Sequence, residues 1–235
     1  MNLPKSAGGY VKVAHRGASA LAPENSLSAL EAALAADVDM VELDVLALDG
    51  GLRLAHSAGQ LEPDSPSLEE ALELFARQAR QQVWLDLDVK TPGHGEAIMR
   101  AVAARDLLER TLVTSFYPQV LREVRRLAPG IATGIAYPND RHGLSERRPL
   151  DALVGLGLRV LTAALPPRIG RMLARAEADA AMLHHALVTP RVVSRCREAG
   201  ASVFAWTIET PEELRRVLAA GADGAIANDP SLFDQ

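Results

Sequence analysis

The sequence predicts an α/β protein, a TIM (β/α)8 barrel formed as a single domain across residues 1–235. Three observations carry this. Short apolar runs rich in Val, Ile and Leu alternate with amphipathic segments, and about eight such units recur. The runs show little polar alternation, as expected of parallel strands covered on both sides. No low-complexity segment or Pro/Gly/Ser-rich linker divides the chain. A doubly wound open sheet is the alternative on pattern alone.

Val11–His15 is the first expected strand. Ser26 caps a helix whose core face is Leu27, Leu30 and Leu34. Met40–Leu46 follows, and then Leu52–His56. The latter comes too soon after Asp49-Gly50-Gly51 for a crossover helix, so it reads as a hairpin return beside the barrel mouth. Ser67 with Glu70 forms a capping box before Leu68, Leu72 and Phe75. Further strands are expected at Val83–Val89, Thr111–Ser115 and Ile131–Ala136. Val154–Leu165 is ambiguous, with Arg159–Leu161 readable as a strand. Ala181–His184, Val203–Thr207 and Gly224–Ala227 complete the set. Thr189-Pro190 and Thr210-Pro211 place a cap before Pro at the first helical position, and Glu213 completes a second box. Gly130, Gly200 and Gly221 fall where helices should stop.

The chain is 48% hydrophobic, enough for a large core, yet has no apolar stretch that could span a membrane. The first ten residues carry no apolar h-region, so no signal peptide is expected. The single cysteine, Cys196, excludes an intramolecular disulfide and fits a reducing, cytoplasmic setting. A net charge of −5 argues against general nucleic-acid binding. An anionic ligand would need local cations or a metal. A homo-oligomer is compatible with the sequence, but no interface is legible.

In a barrel the active site lies at the carboxyl ends of the strands. There, His15 and Arg16 end the first strand. Glu42 and Asp44 share one face of the second, while Val41, Leu43 and Val45 share the other. An exposed strand face is the structural alternative for the acids, but the apolar flanks favour burial. Two buried carboxylates this close need a cation. "WLDLDVK" repeats the arrangement, with Asp86, Asp88 and Lys90 on one face; an internal Asp–Lys ion pair is its structural alternative. Glu42, Asp44 and Asp88 would form an all-oxygen site suited to Mg²⁺, Ca²⁺ or Mn²⁺ rather than Zn²⁺. His56 ends the hairpin strand. Two imidazoles can serve as general base and general acid near neutral pH. Arg16, Lys90 and a cation can hold a phosphate and stabilise its transition state. Together these point to phosphoryl chemistry on a diester.

At these residues the chain resembles the glycerophosphodiester phosphodiesterase family. "AHRGASALAPENSLSAL" is similar to that family's opening HRG…PEN segment. "DVDMVELDVLALDGGLRLAHS" is similar to its E-x-D strand followed by D-G and a His, and "LDLDVK" to its acid-x-Lys strand end. "TSF" and "GASVFAWTIETPEELRRVLAAGADGAIANDP" are similar to its later segments. The resemblance runs through nearly the whole chain and rests on the order and spacing of short motifs.

It implies a barrel hydrolase of the phospholipase C-like phosphodiesterase type. Such an enzyme would cleave small-molecule glycerophosphodiesters to glycerol phosphate and an alcohol. It also implies His15 and His56 as the acid–base pair, and Glu42, Asp44 and Asp88 as ligands of a divalent cation, Mg²⁺ or Ca²⁺ with Mn²⁺ also compatible. Arg16 and Lys90 would contact the phosphate, with Glu24 orienting Arg16 or binding substrate and Trp206 walling the pocket. Glu24 could equally belong to the loop leading to the Ser26 cap, and Trp206 to the core. Ser115 reads as structural. His184 and His185 match no motif, and His94 and His142 read as loop residues.

Three departures stand out. Ser57 follows His56 where the family usually has Asp. Asp88 replaces the usual Glu, a side chain shorter by about 1.5 Å. Only "SAGQLEPDSP" stands where the family often inserts a subdomain, which implies a more open mouth. Two alternatives follow: a lysophospholipase-D-like activity on acylated diesters, and a non-catalytic phosphodiester- or metal-binding barrel.

Overall fold

The structure, a computed structural model, describes residues 3–4, 9–48, 51–139 and 160–234. Its strands are β1 (Val11–Ala14), β2 (Met40–Leu48), β3 (Gly51–Leu54), β4 (Trp84–Val89), β5 (Thr111–Ser115) and β6 (Ala132–Tyr137). They continue as β7 (Ala180–His184), β8 (Ser202–Ile208) and β9 (Gly224–Ala227). The sheet order is β1-β9-β8-β7-β6-β5-β4-β2-β3, and β1 also pairs with β2. That pairing, Val13 opposite Met40, closes eight parallel strands into a barrel and excludes the doubly wound alternative. β3 is the antiparallel addition, paired with β2 at Val45–Leu54 and outside the ring, as its short connection requires.

The helices are α1 (Leu27–Ala35), α2 (Leu68–Gln78), α3 (Gly95–Ala103) and α4 (Pro118–Leu127), then α5 (Pro166–Ala176), α6 (Pro190–Glu198) and α7 (Pro211–Ala219). Their starts follow the sequence. Ser26 Oγ accepts from Ala29 N at 3.0 Å, and both Ser67–Glu70 and Thr210–Glu213 form complete capping boxes. Gly200 and Gly221 take positive φ just past α6 and α7. Gly130 does not do the same for α4, which already ends at an Ala128 cap.

Val160 and Leu161 are helical, which corrects the strand alternative over Arg159–Leu161. Leu165 N reaches back to Leu161 O at 2.8 Å, a helical bond, and the ring closes without another strand. Val154–Arg159, the Asp49-Gly50 turn and His142 lie outside the described residues.

Strand alternation produces two cores. Val41, Leu43 and Val45 face outward and pack with Leu30, Leu72 and Phe75 of the helices. Val11, Val13, Met40, Leu112 and Phe204 face inward and fill the barrel. Each large buried side chain contributes about 1.5–3 kcal/mol. Gly224 is where β9 makes room for the Phe204 ring, since a Cβ there would lie 2.4 Å from it. Along β2 the inward face therefore runs from Met40, in the apolar interior, to Glu42 and Asp44 at the mouth.

Candidate active site

A cavity of about 520 Å³ opens at the carboxyl ends of the strands. His15, Arg16, Glu42, His56, Asp88 and Lys90 line it, with Glu24 and Trp206 at its walls. Asp44 lies 1% exposed among them and is the hub. Its Oδ1 is 2.5 Å from Lys90 Nζ. Its Oδ2 is 3.2 Å from Arg16 Nε and 3.3 Å from His56 Nδ1. Asn25 clamps it twice, Nδ2 donating to Oδ2 at 2.8 Å and Oδ1 accepting from the Asp44 N–H at 2.9 Å. Burial opposes ionisation of Asp44, but Lys90, His56 and Arg16 outweigh it and hold the carboxyl well below the usual range.

The loop after β1 explains the His-Arg-Gly order. Arg16 has φ 52°, a left-handed conformation that an L-residue holds only when its surroundings require it. Here its N–H donates to Glu42 Oε2 at 2.8 Å, and its guanidinium reaches Glu24 at 2.7 Å and Asp44. Gly17 follows at φ 79°, where a Cβ would lie 2.6 Å from the Ala29 carbonyl carbon, so only Gly lets the loop cross α1.

His15 stands with Nδ1 2.6 Å from Asn228 Oδ1 and Nε2 3.8 Å from Glu42 Oε2. Burial, reinforced by Arg16, lowers its pKa to about 4, so the ring is neutral at pH 7. Asn228 Oδ1 also accepts from Ser19 Oγ at 3.0 Å. An amide oxygen facing Nδ1 makes that nitrogen the proton carrier and leaves Nε2 as the acceptor. Asn228 was not singled out in the sequence, although it lies one residue past β9, where strand ends meet the mouth. Asn25 lay within the PEN segment but gave no sign of its clamp on Asp44.

Glu42, Asp44 and Asp88 offer carboxylate oxygens that all lie within 4.8 Å of one another. Burial, then Asp44, raises the pKa of Glu42 well above its usual value. Asp88 Oδ1 is buried and has no hydrogen-bond partner. An all-oxygen set with a vacant lone pair fits a hard divalent cation. Here Lys90 Nζ bridges Asp44 and Asp88. Burial opposes its charge, but Asp44, Asp88 and Glu42 prevail and raise its pKa further.

Ser57 does not orient His56. Its Oγ donates to Gln60 Oε1 at 3.0 Å, Gln60 Nε2 donates to Glu24 Oε1 at 3.0 Å, and Glu24 Oε2 holds Arg16. His56 Nδ1 is held instead by Arg16 Nη2 at 3.1 Å and Asp44 Oδ2 at 3.3 Å. Trp206 lines the cavity, its ring edge-on to Phe116 at 6.3 Å and to His184 at 5.4 Å. Ser115 is structural, donating to Val89 O at 2.7 Å. His184 lines the cavity as well, and burial followed by His185 lowers its pKa to about 4.

A sequence model described as the "Glycerophosphoryl diester phosphodiesterase family" matches residues 15–58 and 52–232. The chain belongs to that family. Among curated relatives, a glycerophosphodiester phosphodiesterase of Caldanaerobacter subterraneus is 26% identical, over 94% of this chain and 95% of its own. Two solved structures share the fold. One is a glycerophosphoryl diester phosphodiesterase described as putative, from Silicibacter pomeroyi (TM-score 0.76, 23% identity, 98% and 95% covered). The other is an Oleispira antarctica phosphodiesterase in complex with the product sn-glycerol-3-phosphate (TM-score 0.71, 22% identity, 96% and 97% covered). The family's phosphodiester chemistry and the acidic group at the mouth of this member agree. No helix among the described residues is long and apolar enough to cross a membrane.

Proposed function

We propose that this phosphoric diester hydrolase cleaves glycerophosphodiesters to glycerol phosphate and an alcohol, with residues 1–235 as one catalytic barrel. The observation that carries the reading is Asp44, which ties Arg16, His56 and Lys90 to one point in the mouth. Arg16 and Lys90 receive the phosphate. Glu24 holds Arg16 in place, and Trp206 gives the substrate an apolar wall. Glu42, Asp44 and Asp88 would hold Mg²⁺, Ca²⁺ or Mn²⁺, which would polarise the phosphoryl oxygen and offset its charge.

The two histidines divide the proton transfers. The attacking oxygen, of water or of the glycerol 2-hydroxyl, gives its proton to Nε2 of neutral His15; in the second case a water then opens the cyclic phosphate with the two histidine roles exchanged. His56, held at Nδ1 between Asp44 and Arg16, gives a proton to the leaving alkoxide as the P–O bond breaks. The net charge of −5 gives nucleic acid no general attraction to the chain, so the partner is a small molecule. Cytoplasmic location belongs to the same proposal, supported by the single buried Cys196, whose thiol is pushed up to about 12 by burial and Asp223.

The test is release of glycerol 3-phosphate from glycerophosphocholine after chelation and readdition of Mg²⁺, Ca²⁺ or Mn²⁺. Metal-restored turnover is expected, reduced at least about 10²-fold by His15→Ala or His56→Ala. A change below about threefold in both variants removes the acid–base assignment. Faster hydrolysis of a lysophospholipid than of glycerophosphocholine would assign the lysophospholipase-D-like activity. Tight ligand binding without turnover with any of the three ions would make this a binding barrel.

A further inference from the structure

One buried acid in the cavity has no role in that reaction. Asp86 is the register partner of Glu42 across β2 and β4, as Asp88 is of Asp44. It is 1% exposed and lines the cavity. Its Oδ1 accepts from Thr114 Oγ1 at 2.8 Å. Its Oδ2 is buried and has no hydrogen-bond partner. A buried carboxylate oxygen in that state calls for a water or an ion.

Lys90 does not meet the need, because its ammonium is placed on Asp44 and Asp88. Direct ligation does not meet it either. The oxygens gathered within 4.8 Å belong to Glu42, Asp44 and Asp88, and Asp86 is not among them. Its place beside Glu42 puts it one step down the inward face of β4 from Asp88, toward the apolar interior. An acceptor beside a cation, but outside its ligand set, is suited to the water that the cation carries.

We infer that Asp86 Oδ2 accepts a hydrogen bond from a water bound to a divalent cation at Glu42, Asp44 and Asp88, and so favours a cation that keeps its water. Mg²⁺ is such an ion, since it dehydrates reluctantly and retains several waters; Ca²⁺ takes more ligands directly. Asp86 is thus a positioning residue that selects Mg²⁺ over Ca²⁺. The inference rests on the cation site of the proposed function.

The experiment is calorimetric titration of Mg²⁺ and Ca²⁺ into the metal-stripped protein and its Asp86→Asn variant. Asn keeps the volume and can still accept from Thr114. The variant should bind Mg²⁺ about 10- to 100-fold more weakly, the usual effect of losing a partner outside the ligand set. Its loss for Ca²⁺ should be smaller. Equal losses for both ions would reduce Asp86 to a remote charge and overturn the inference, as would unchanged Mg²⁺ affinity. A wild-type protein that binds neither ion would remove the cation site itself, and Asp86's role with it. Should Asp86→Asn fail to fold, Thr114→Val frees the same carboxylate from its donor. Mg²⁺ affinity should then fall by more than Ca²⁺ affinity, and two unchanged constants would overturn the inference.

Discussion

Asp44→Asn is the substitution that most directly tests the hub. The amide keeps the shape and an acceptor for Asn25, and removes one buried negative charge. Among the described residues Lys90, with a side chain 10% exposed, then keeps Asp88 as its ion-pair partner, and Arg16 retains Glu24, which is 37% exposed and screened. Breaking a buried pair by removing one partner costs about 3–5 kcal/mol. Relief of the repulsion between Asp44 and Glu42 offsets part of this, so the lower end, about 3 kcal/mol, is expected. For a chain of this length each kcal/mol lowers Tm by about 2–4 °C, giving about 6–12 °C in all. Urea denaturation and calorimetry in chelator read both quantities. The pH dependence has a defined sign. Asp44's carboxyl is held low in the fold, so its stabilisation is complete above the unfolded value of about 3.9 and is lost as pH falls through the folded value. The gap between wild type and variant should therefore persist from pH 7 to about pH 4.5 and narrow only in stronger acid. Adding Lys90→Met should recover part of the loss, because the stranded ammonium is gone. A loss below about 1 kcal/mol at pH 7, or a gap that closes between pH 7 and about pH 5, would refute the hub.

Gly17→Ala should cost at least about 2 kcal/mol by denaturant melting, since its Cβ would meet the Ala29 backbone at 2.6 Å and its φ is 79°; a loss under half of that would mean the loop after β1 adapts. Ser67→Ala removes the hydroxyl that accepts from Glu70 N, leaves the backbone half of the capping box, and should destabilise by about 1 kcal/mol. Neutral melting data for that variant would show that α2 is held by packing alone. His184 titrates at about 4 in the fold against an ordinary 6.5, so between those values the unfolded chain binds more protons and wild-type stability falls as pH drops. His184→Gln should flatten that fall in urea melts across the same range, and parallel wild-type and variant curves would contradict the burial argument.

The nine strands among the described residues were legible because each is a compact apolar run, most of them ended by Pro or a charged or polar residue. The helix over Val160 and Leu161 was not, since a short apolar run has no period that separates helix from strand. Glu42, Asp44, Asp88 and Lys90 could be found because polar residues at alternate positions break an otherwise apolar strand. Their partners were harder to see. Lys90 meets Asp44 only because β2 and β4 pair in the register Asp44–Asp88, and a register between strands so far apart in sequence has no local signature. Arg16's left-handed backbone is tied to Glu42 on the next strand by its N–H, a contact distant in sequence. Ser57 reads as a lost acid beside His56, but the loop turns its hydroxyl to Gln60 and joins it to Glu24 and Arg16.

The parity of β2 explains how one strand serves both stability and chemistry. Val41, Leu43 and Val45 are buried against the helices and hold the barrel wall. Glu42 and Asp44, one residue out of step, are buried at the mouth above Met40 and the inner core. The apolar interior is what makes the acids useful. It denies them water, so their charge must be met by Lys90, Arg16 or a bound cation, and each of those can also attract a phosphate. A slip of one residue in the pairing of β2 would put Leu43 in the mouth and Asp44 among the helices. The register that seals the wall is therefore the same register that assembles the site, and neither can drift without the other.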